Sequence, residues 1–180
     1  LVVGPEEALV ITGPNTGGKT VLLKTVGLAA LMLRAGLPPP CRECSLPLYR
    51  RVLTDMGDDQ SIAESLSTFS AHMVNVRRIL ERAGAGTLVL LDEVAVGTDP
   101  IQGAALARAI VEALADRRSQ VLVTTHYAQL KELPGRDARF KNASLGFDLE
   151  RIRPTYRVAA GQPGSSSALS VAARLGLPVE

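Results

Sequence analysis

Residues 13–20 have the types and the spacing of a phosphate-binding loop. They read G-P-N-T-G-G-K-T, which fits the pattern G-x-x-x-x-G-K-[ST]. In such a loop, glycines let backbone N–H groups cradle phosphate oxygens, the lysine can reach the β- and γ-phosphates, and the threonine hydroxyl can bind Mg²⁺. We therefore predict a site for ATP or ADP with Mg²⁺. The predicted nucleotide contacts are Gly13, Pro14, Asn15, Thr16, Gly17, Gly18, Lys19 and Thr20, of which Thr20 is also the predicted metal ligand.

The segments on either side of this loop supply the strand and the helix that the motif requires. The apolar, β-branched run 9–12 is typical of a buried parallel strand, and the run 19–35 is long, apolar and free of proline. The positive end of this helix dipole would add to the attraction for phosphate. A chance glycine-rich turn is the alternative, and it would not explain the two flanking elements.

Two acids follow a second apolar run, residues 87–91. Ligands of open parallel sheets lie beyond the carboxyl ends of the strands, so Asp92 is predicted to hold Mg²⁺ and Glu93 to orient and deprotonate the attacking water. His126 follows the apolar run 121–124 on the same edge, and we interpret it as a γ-phosphate sensor, although a lone histidine is usually structural. An acidic strand end can also be a solvated turn, but the phosphate loop upstream favours the paired interpretation.

The composition is that of one globular domain. The chain has 180 residues, 46% of them hydrophobic, and a net charge of +2, which gives no case for an electrostatic nucleic-acid surface, although local patches remain open. With no Trp, three Phe and three Tyr, base stacking on an aromatic sheet is not expected. No signal peptide or membrane-length apolar run is visible, so we expect a cytoplasmic protein without a membrane partner. The sequence begins without Met, and we expect one domain over 1–180, taken from a longer chain.

The remaining segments predict an α/β fold with a mostly parallel sheet flanked by helices. Cys41 and Cys44 form a C-x-x-C pair in a proline-rich loop, but no further ligands cluster with them, so neither zinc nor redox chemistry is predicted. Further strands are predicted at 48–53, 140–147 and 156–158, and further helices at 68–80, 102–117 and 168–175.

Four ordered blocks resemble the ATPase domain of the MutS family, a branch of the ABC-type ATPases. They are the phosphate loop, S-L-S-T-F at 65–69, L-V-L-L-D-E-V-A-V-G-T-D-P at 88–100 and T-T-H-Y at 124–127. The D-x-G-D-x-Q-S-I block at 55–62 and the G-T-D-P sequence are most similar to the bacterial MutS-II group, whose members usually carry a C-terminal Smr nuclease domain. The resemblance covers nearly the whole chain and implies a P-loop NTPase fold of the ABC type.

The resemblance implies further roles by position. Asn15 would contact phosphate, and Ser67 would match the signature serine that reaches the partner's γ-phosphate in a head-to-tail dimer. Asp99 would lie in the loop that links the two sites. His126 would be the switch histidine, and Tyr156 falls where MutS proteins place a residue that packs on adenine.

The implied function is an ATPase motor that acts as a homodimer with composite ATP sites. It would couple dimerisation to handling of branched or mismatched DNA, and so to suppression of homologous recombination, or to stalled ribosomes. Those contacts, and any nuclease activity, would lie outside this chain.

Two other functions compete with this interpretation. Another ABC-type ATPase of chromosome maintenance or transport would carry L-S-G-G-Q, where this chain has S-L-S-T-F. A binding module with a dead site conflicts with the complete set of Lys19, Thr20, Asp92 and Glu93. One departure from the family is the D-E-L-G-A-G-T-D-P block, in which Ala95 and Val96 replace glycine and alanine here; this predicts a stiffer loop after the acids.

Overall fold

The computed structural model describes residues 4, 6–14, 17–57, 65–148, 150–151, 153–162 and 164, with the backbone only at 65–68. These residues alternate strands and helices along the chain. The elements are β1 (Ala8–Thr12), α1 (Lys19–Arg34), β2 (Arg51–Asp55), α2 (Ser65–Arg82), β3 (Thr87–Leu91), α3 (Pro100–Asp116), β4 (Gln120–Thr124), α4 (Ala128–Lys131), a 3₁₀ turn (Leu133–Gly135), β5 (Phe140–Asp148) and β6 (Arg153–Ala160).

The strands form one six-stranded sheet in the order β2-β3-β4-β1-β5-β6. Every neighbouring pair is parallel except β5 and β6, which are antiparallel. All five residues of β1, β3 and β4 are buried, which explains why these strands read as continuous apolar runs rather than alternating ones. The predicted α/β fold with a mostly parallel sheet is therefore confirmed.

Helices cover both faces of the sheet. Successive strand residues point to opposite faces, so Val10 packs in a core with residues of α2, α3 and α4, whereas Leu9 packs in a second core with residues of α1. Gly27 lets α1 approach closely, because a Cβ there would lie only 2.7 Å from Leu90 Cδ1. No helix among the described residues is both long and apolar enough to cross a bilayer.

Several predicted boundaries differ from the observed ones. The second strand begins at Arg51 rather than at 48, because β2 is a half-exposed edge strand with a weak apolar pattern. The helix predicted from 68 begins at Ser65, so Ser67 lies in its first turn. The short α4 was not predicted, and the helix predicted at 168–175 lies outside the described residues.

Candidate nucleotide-binding and hydrolysis site

The phosphate loop connects the end of β1 to the start of α1. Gly13 and Gly18 have φ angles of 143° and 89°, a region that favours glycine, and Gly18 is the N-cap of α1. Within the loop, Gly17 N–H donates to the Pro14 carbonyl at 2.9 Å. The predicted strand, loop and helix order is therefore observed. Asn15 and Thr16 lie outside the described residues, and their phosphate contacts stay predictions.

Lys19 extends from the first turn of α1 into the buried space beside this loop. Its side chain is 3% exposed, and its Nζ donates to the Gly13 carbonyl at 3.0 Å and lies 3.5 Å from Glu93 Oε1. Burial lowers the pKa of Lys19, and the Glu93 carboxylate opposes that shift. The structure thus brings the predicted phosphate-binding cation and the predicted base together.

Thr20 and Asp92, the two predicted metal ligands, lie in direct contact. Thr20 Oγ1 donates to Asp92 Oδ2 at 2.5 Å, although 72 residues separate them in sequence. Both offer hard oxygen ligands of the kind that Mg²⁺ prefers, and Mg²⁺ usually takes only one or two protein ligands beside phosphates and water. The described residues contain no group of three or more His, Cys, Asp or Glu side chains that could hold a metal ion. The donor set fits Mg²⁺ held by Thr20 and Asp92.

Thr124, at the end of β4, connects the two acids and was not predicted. Its buried hydroxyl donates to Asp92 Oδ1 and accepts the Glu93 N–H at 2.9 Å. The Asp92 N–H donates in turn to the Asp55 carbonyl of β2 at 2.9 Å. A polar residue that ends an apolar strand is the signal that could have identified Thr124, because β4 is the neighbour of β3.

The turn after β3 has an unusual backbone. Glu93 and Ala95 have φ angles of 50° and 62°, which residues with a Cβ rarely adopt. The buried Tyr127 hydroxyl donates to the Ala95 carbonyl at 3.0 Å, and burial raises the pKa of Tyr127. Gly103 of α3 leaves room for this contact, because a Cβ there would lie 2.5 Å from the Tyr127 hydroxyl. The turn that carries Glu93 is thus fixed from β4 and α3.

His126 lies at the predicted edge of the sheet. Its side chain is exposed, and its ring centroid is 4.4 Å from that of Tyr127. No hydrogen bond joins its ring to another residue in the described part of the chain, so the side chain is available to a ligand. Its role as a γ-phosphate sensor stays a prediction.

Tyr156 packs against the phosphate loop from β6. A Cβ at Gly18 would lie 2.9 Å from Tyr156 Cε1, yet the tyrosine remains 63% exposed. Gly164 N–H donates to Thr12 Oγ1 at 2.6 Å, so the chain after β6 also returns to this loop. Contact between Tyr156 and adenine stays a prediction.

The resemblance gives Ser67 and Asp99 roles between two sites rather than within one. The Ser67 side chain lies outside the described residues. Asp99 is the N-cap of α3, and its carboxylate accepts from Ile101 N–H at 3.1 Å and Gln102 N–H at 3.0 Å. Helix capping is therefore sufficient to explain an aspartate here, and a role between two sites stays a prediction.

Comparisons with known proteins agree with this geometry. The family described as MutS domain V, a P-loop ATPase domain, matches residues 9–180. Proteins named "Endonuclease MutS2" are 54% identical over 175 residues in Pelotomaculum thermopropionicum and 52% identical over 172 residues in Caldicellulosiruptor saccharolyticus, covering 97% and 95% of this chain. The chain spans 22% of the length of each. Because the model of MutS domain V matches residues 9–180, the chain belongs to the MutS family.

Proposed function

We propose that this chain is the ATP-binding and ATP-hydrolysing domain of a MutS-II protein. The observation that carries the proposal is the arrangement at the carboxyl end of the sheet, where Lys19 lies 3.5 Å from Glu93 and Thr20 contacts Asp92. The side chains proposed as the cation, the metal ligands and the base thus lie around one phosphate loop. The relatives named "Endonuclease MutS2", at 54% and 52% identity, support the MutS-II subgroup.

Each side chain has a distinct part in the proposed reaction. The loop N–H groups and Lys19 bind the β- and γ-phosphates. Thr20 and Asp92 would hold Mg²⁺, which would neutralise phosphate charge when bound. Glu93 takes a proton from water while the water oxygen bonds to the γ-phosphorus and the bond to ADP breaks. Thr124 acts as a positioning residue, because its hydroxyl contacts both the Asp92 carboxylate and the Glu93 N–H.

A second copy of the chain would complete the site. The phosphate loop offers donors to one side of the γ-phosphate only, whereas the first-turn N–H groups of α2, around Ser67, have no partners within the helix. This helix packs on β2, which is three strands away from β1 in the sheet. Three strand spacings place β2 about 14 Å from β1. A two-fold dimer would bring Ser67 to the partner's γ-phosphate, and ATP would favour it over ADP.

The test mixes two inactive variants, Lys19→Ala and Ser67→Arg. A heterodimer retains one site with both Lys19 and Ser67 intact, so partial recovery of ATP hydrolysis is expected. Ser70→Arg, an exposed position in the same helix, is the matched control and should retain activity. Absence of recovery, at concentrations where the parent dimerises with ATP, would mean that each site is complete within one chain.

The whole protein is proposed to be cytoplasmic and to act on a target beyond ATP. We infer that ATP-driven dimerisation acts on branched or mismatched DNA, or on stalled ribosomes, mainly through regions beyond this chain. The endonuclease names of relatives that are several times longer support a nucleic-acid role. ATP hydrolysis by the longer protein, measured with branched DNA and with ribosomes, should rise with one of them; no response to either would favour an ABC-type ATPase of another system.

A further inference from the structure

A cleft of about 470 Å³ lies at the opposite end of the sheet from the phosphate loop. It is lined by Arg34, Arg50, Arg51, Val52, Leu53 and Arg82. β2 begins at Arg51 and α2 ends at Arg82, just before β3 begins, so both belong to the amino end of the parallel strands. Arg34 ends α1, whose 16 residues span about 24 Å from the phosphate loop.

The four arginines of this cleft, the cleft arginines, are exposed. Arg51 Nη1 donates to the Arg82 carbonyl at 3.5 Å, and no carboxylate in the described part of the chain pairs with any of the four. Arg34 and Arg82 lie in the last turns of their helices, where the helix dipole attracts cations. That explanation does not extend to Arg50 and Arg51, which lie at the start of an edge strand.

Two other arginines at the same end of the sheet are paired with carboxylates. Arg118 pairs with Glu6 at 3.0 Å, and Arg139 pairs with Asp116 at 2.8 Å. A third, the exposed Arg117 before β4, donates only to the Ala113 carbonyl at 2.8 Å, so an arginine without a carboxylate partner is also found away from the cleft. The cleft differs in that four such guanidinium groups line one space, which fits a ligand that carries several negative charges.

We propose that the cleft arginines bind the phosphodiester backbone of a nucleic acid. Guanidinium groups bind phosphate oxygens in bidentate geometry, and the cleft has no aromatic or amide side chain that could read a base, so binding would not depend on sequence. Arg78, exposed one turn before Arg82, extends the positive charge along α2.

A nucleic acid fits this cluster better than an acidic protein segment. Along each strand, duplex DNA presents one charge per about 3.4 Å of its axis. An extended acidic peptide turns alternate side chains to opposite faces, so it presents at most one carboxylate per roughly 6.7 Å to one surface. Four guanidinium groups in one cleft match the denser charge. The inference goes beyond ATP hydrolysis, because it assigns a nucleic-acid contact to the ATPase domain itself.

The experiment measures binding of a fluorescein-labelled mixed-sequence 20-base-pair duplex by anisotropy, between 50 and 200 mM salt. Excess ADP and Mg²⁺ keep DNA phosphates out of the phosphate loop. The double variant Arg34→Gln with Arg82→Gln should bind on the order of tenfold more weakly, and its log–log salt slope should fall by about two. The charge-matched control is Arg108→Gln with Arg136→Gln, which removes two arginines that are each already paired with a glutamate four residues away.

Each result decides the proposal. Parent-like affinity and salt slope in the double variant would overturn it, and so would an equal loss in the control, since that would be an effect of net charge alone. A 20-residue polyglutamate that binds the parent more tightly than the duplex would assign the cleft to a protein instead. If the double variant has a lower melting temperature than the parent, the variant Arg50→Gln with Arg78→Gln repeats the test at positions outside the last helical turns. Failure here leaves ATP hydrolysis intact, so the two proposals are distinguishable.

Discussion

The two ends of the sheet hold charge in different ways. At the carboxyl end, Lys19 is buried and contacts Glu93, and Asp92 accepts from two hydroxyl groups. At the amino end, the cleft arginines are exposed and have no carboxylate partner among the described residues. A buried charge costs several kcal/mol unless it is paired, whereas an exposed charge costs little. The fold thus fixes the geometry needed for chemistry at one end and leaves charge available for binding at the other.

The strongest test of the carboxyl end is Glu93→Gln. The amide keeps the size of the side chain but cannot accept the proton of the attacking water, so single-turnover hydrolysis should fall by about 10²-fold or more while ATP still binds. A rate close to that of the parent would move the role of base to another group, with His126 the first candidate.

Lys19→Ala should have the next largest effect. It removes a charge-assisted contact to the phosphates, so calorimetry should show ATP binding weakened by on the order of 1.5–3 kcal/mol. The same substitution leaves Glu93 without its cation, which should also be visible as a lower melting temperature without nucleotide. Unchanged ATP affinity would contradict the assignment of the phosphate loop.

Thr124→Val tests whether hydrogen bonds, and not only burial, organise this end. Valine has the same shape but can neither donate to Asp92 nor accept the Glu93 N–H. Loss of these hydrogen bonds should cost roughly 1–3 kcal/mol in interaction free energy, and hydrolysis should fall about tenfold. Thr124→Ser keeps the hydroxyl and should remain close to the parent in both turnover and Mg²⁺ dependence. Equal losses in the two variants would indicate a packing role instead.

Ala95→Gly should produce the smallest change. Glycine relieves the positive φ at a cost of one buried methyl group, so the free energy of unfolding should rise by no more than about 1 kcal/mol. Val96→Ala, at a partly exposed neighbour with no such backbone angle, is the control and should be neutral. Destabilisation by more than about 1 kcal/mol would show that the methyl group, rather than the backbone, dominates at this position.

The sequence alone predicted the features that depend on residues close to one another in the chain. The phosphate loop is identifiable because the chemistry restricts each position, and β1, β3 and β4 because burial on both faces leaves continuous apolar runs. The pairing of Asp92 with Thr20 followed from the rule that ligands bind at the carboxyl ends of strands.

The features that sequence did not predict depend on contacts between distant segments. Thr124 acquires its role only because β4 lies beside β3, and Tyr127 only because Gly103 leaves space for its ring. The cleft combines arginines from two helices and one strand, while the net charge of +2 averages them with paired cations elsewhere. Cys41 and Cys44 are exposed and free, and their lack of a chemical role stays a prediction.

The close fit of Gly27 against Leu90 has a mechanical consequence. Any displacement of α1 along or towards the sheet would drive its backbone into a leucine that is fully buried in a packed core. The helix is held at this point of close packing and spans about 24 Å, with Lys19 at one end and Arg34 at the other. Nucleotide binding and the proposed occupancy of the cleft would therefore act on the two ends of one continuous helix.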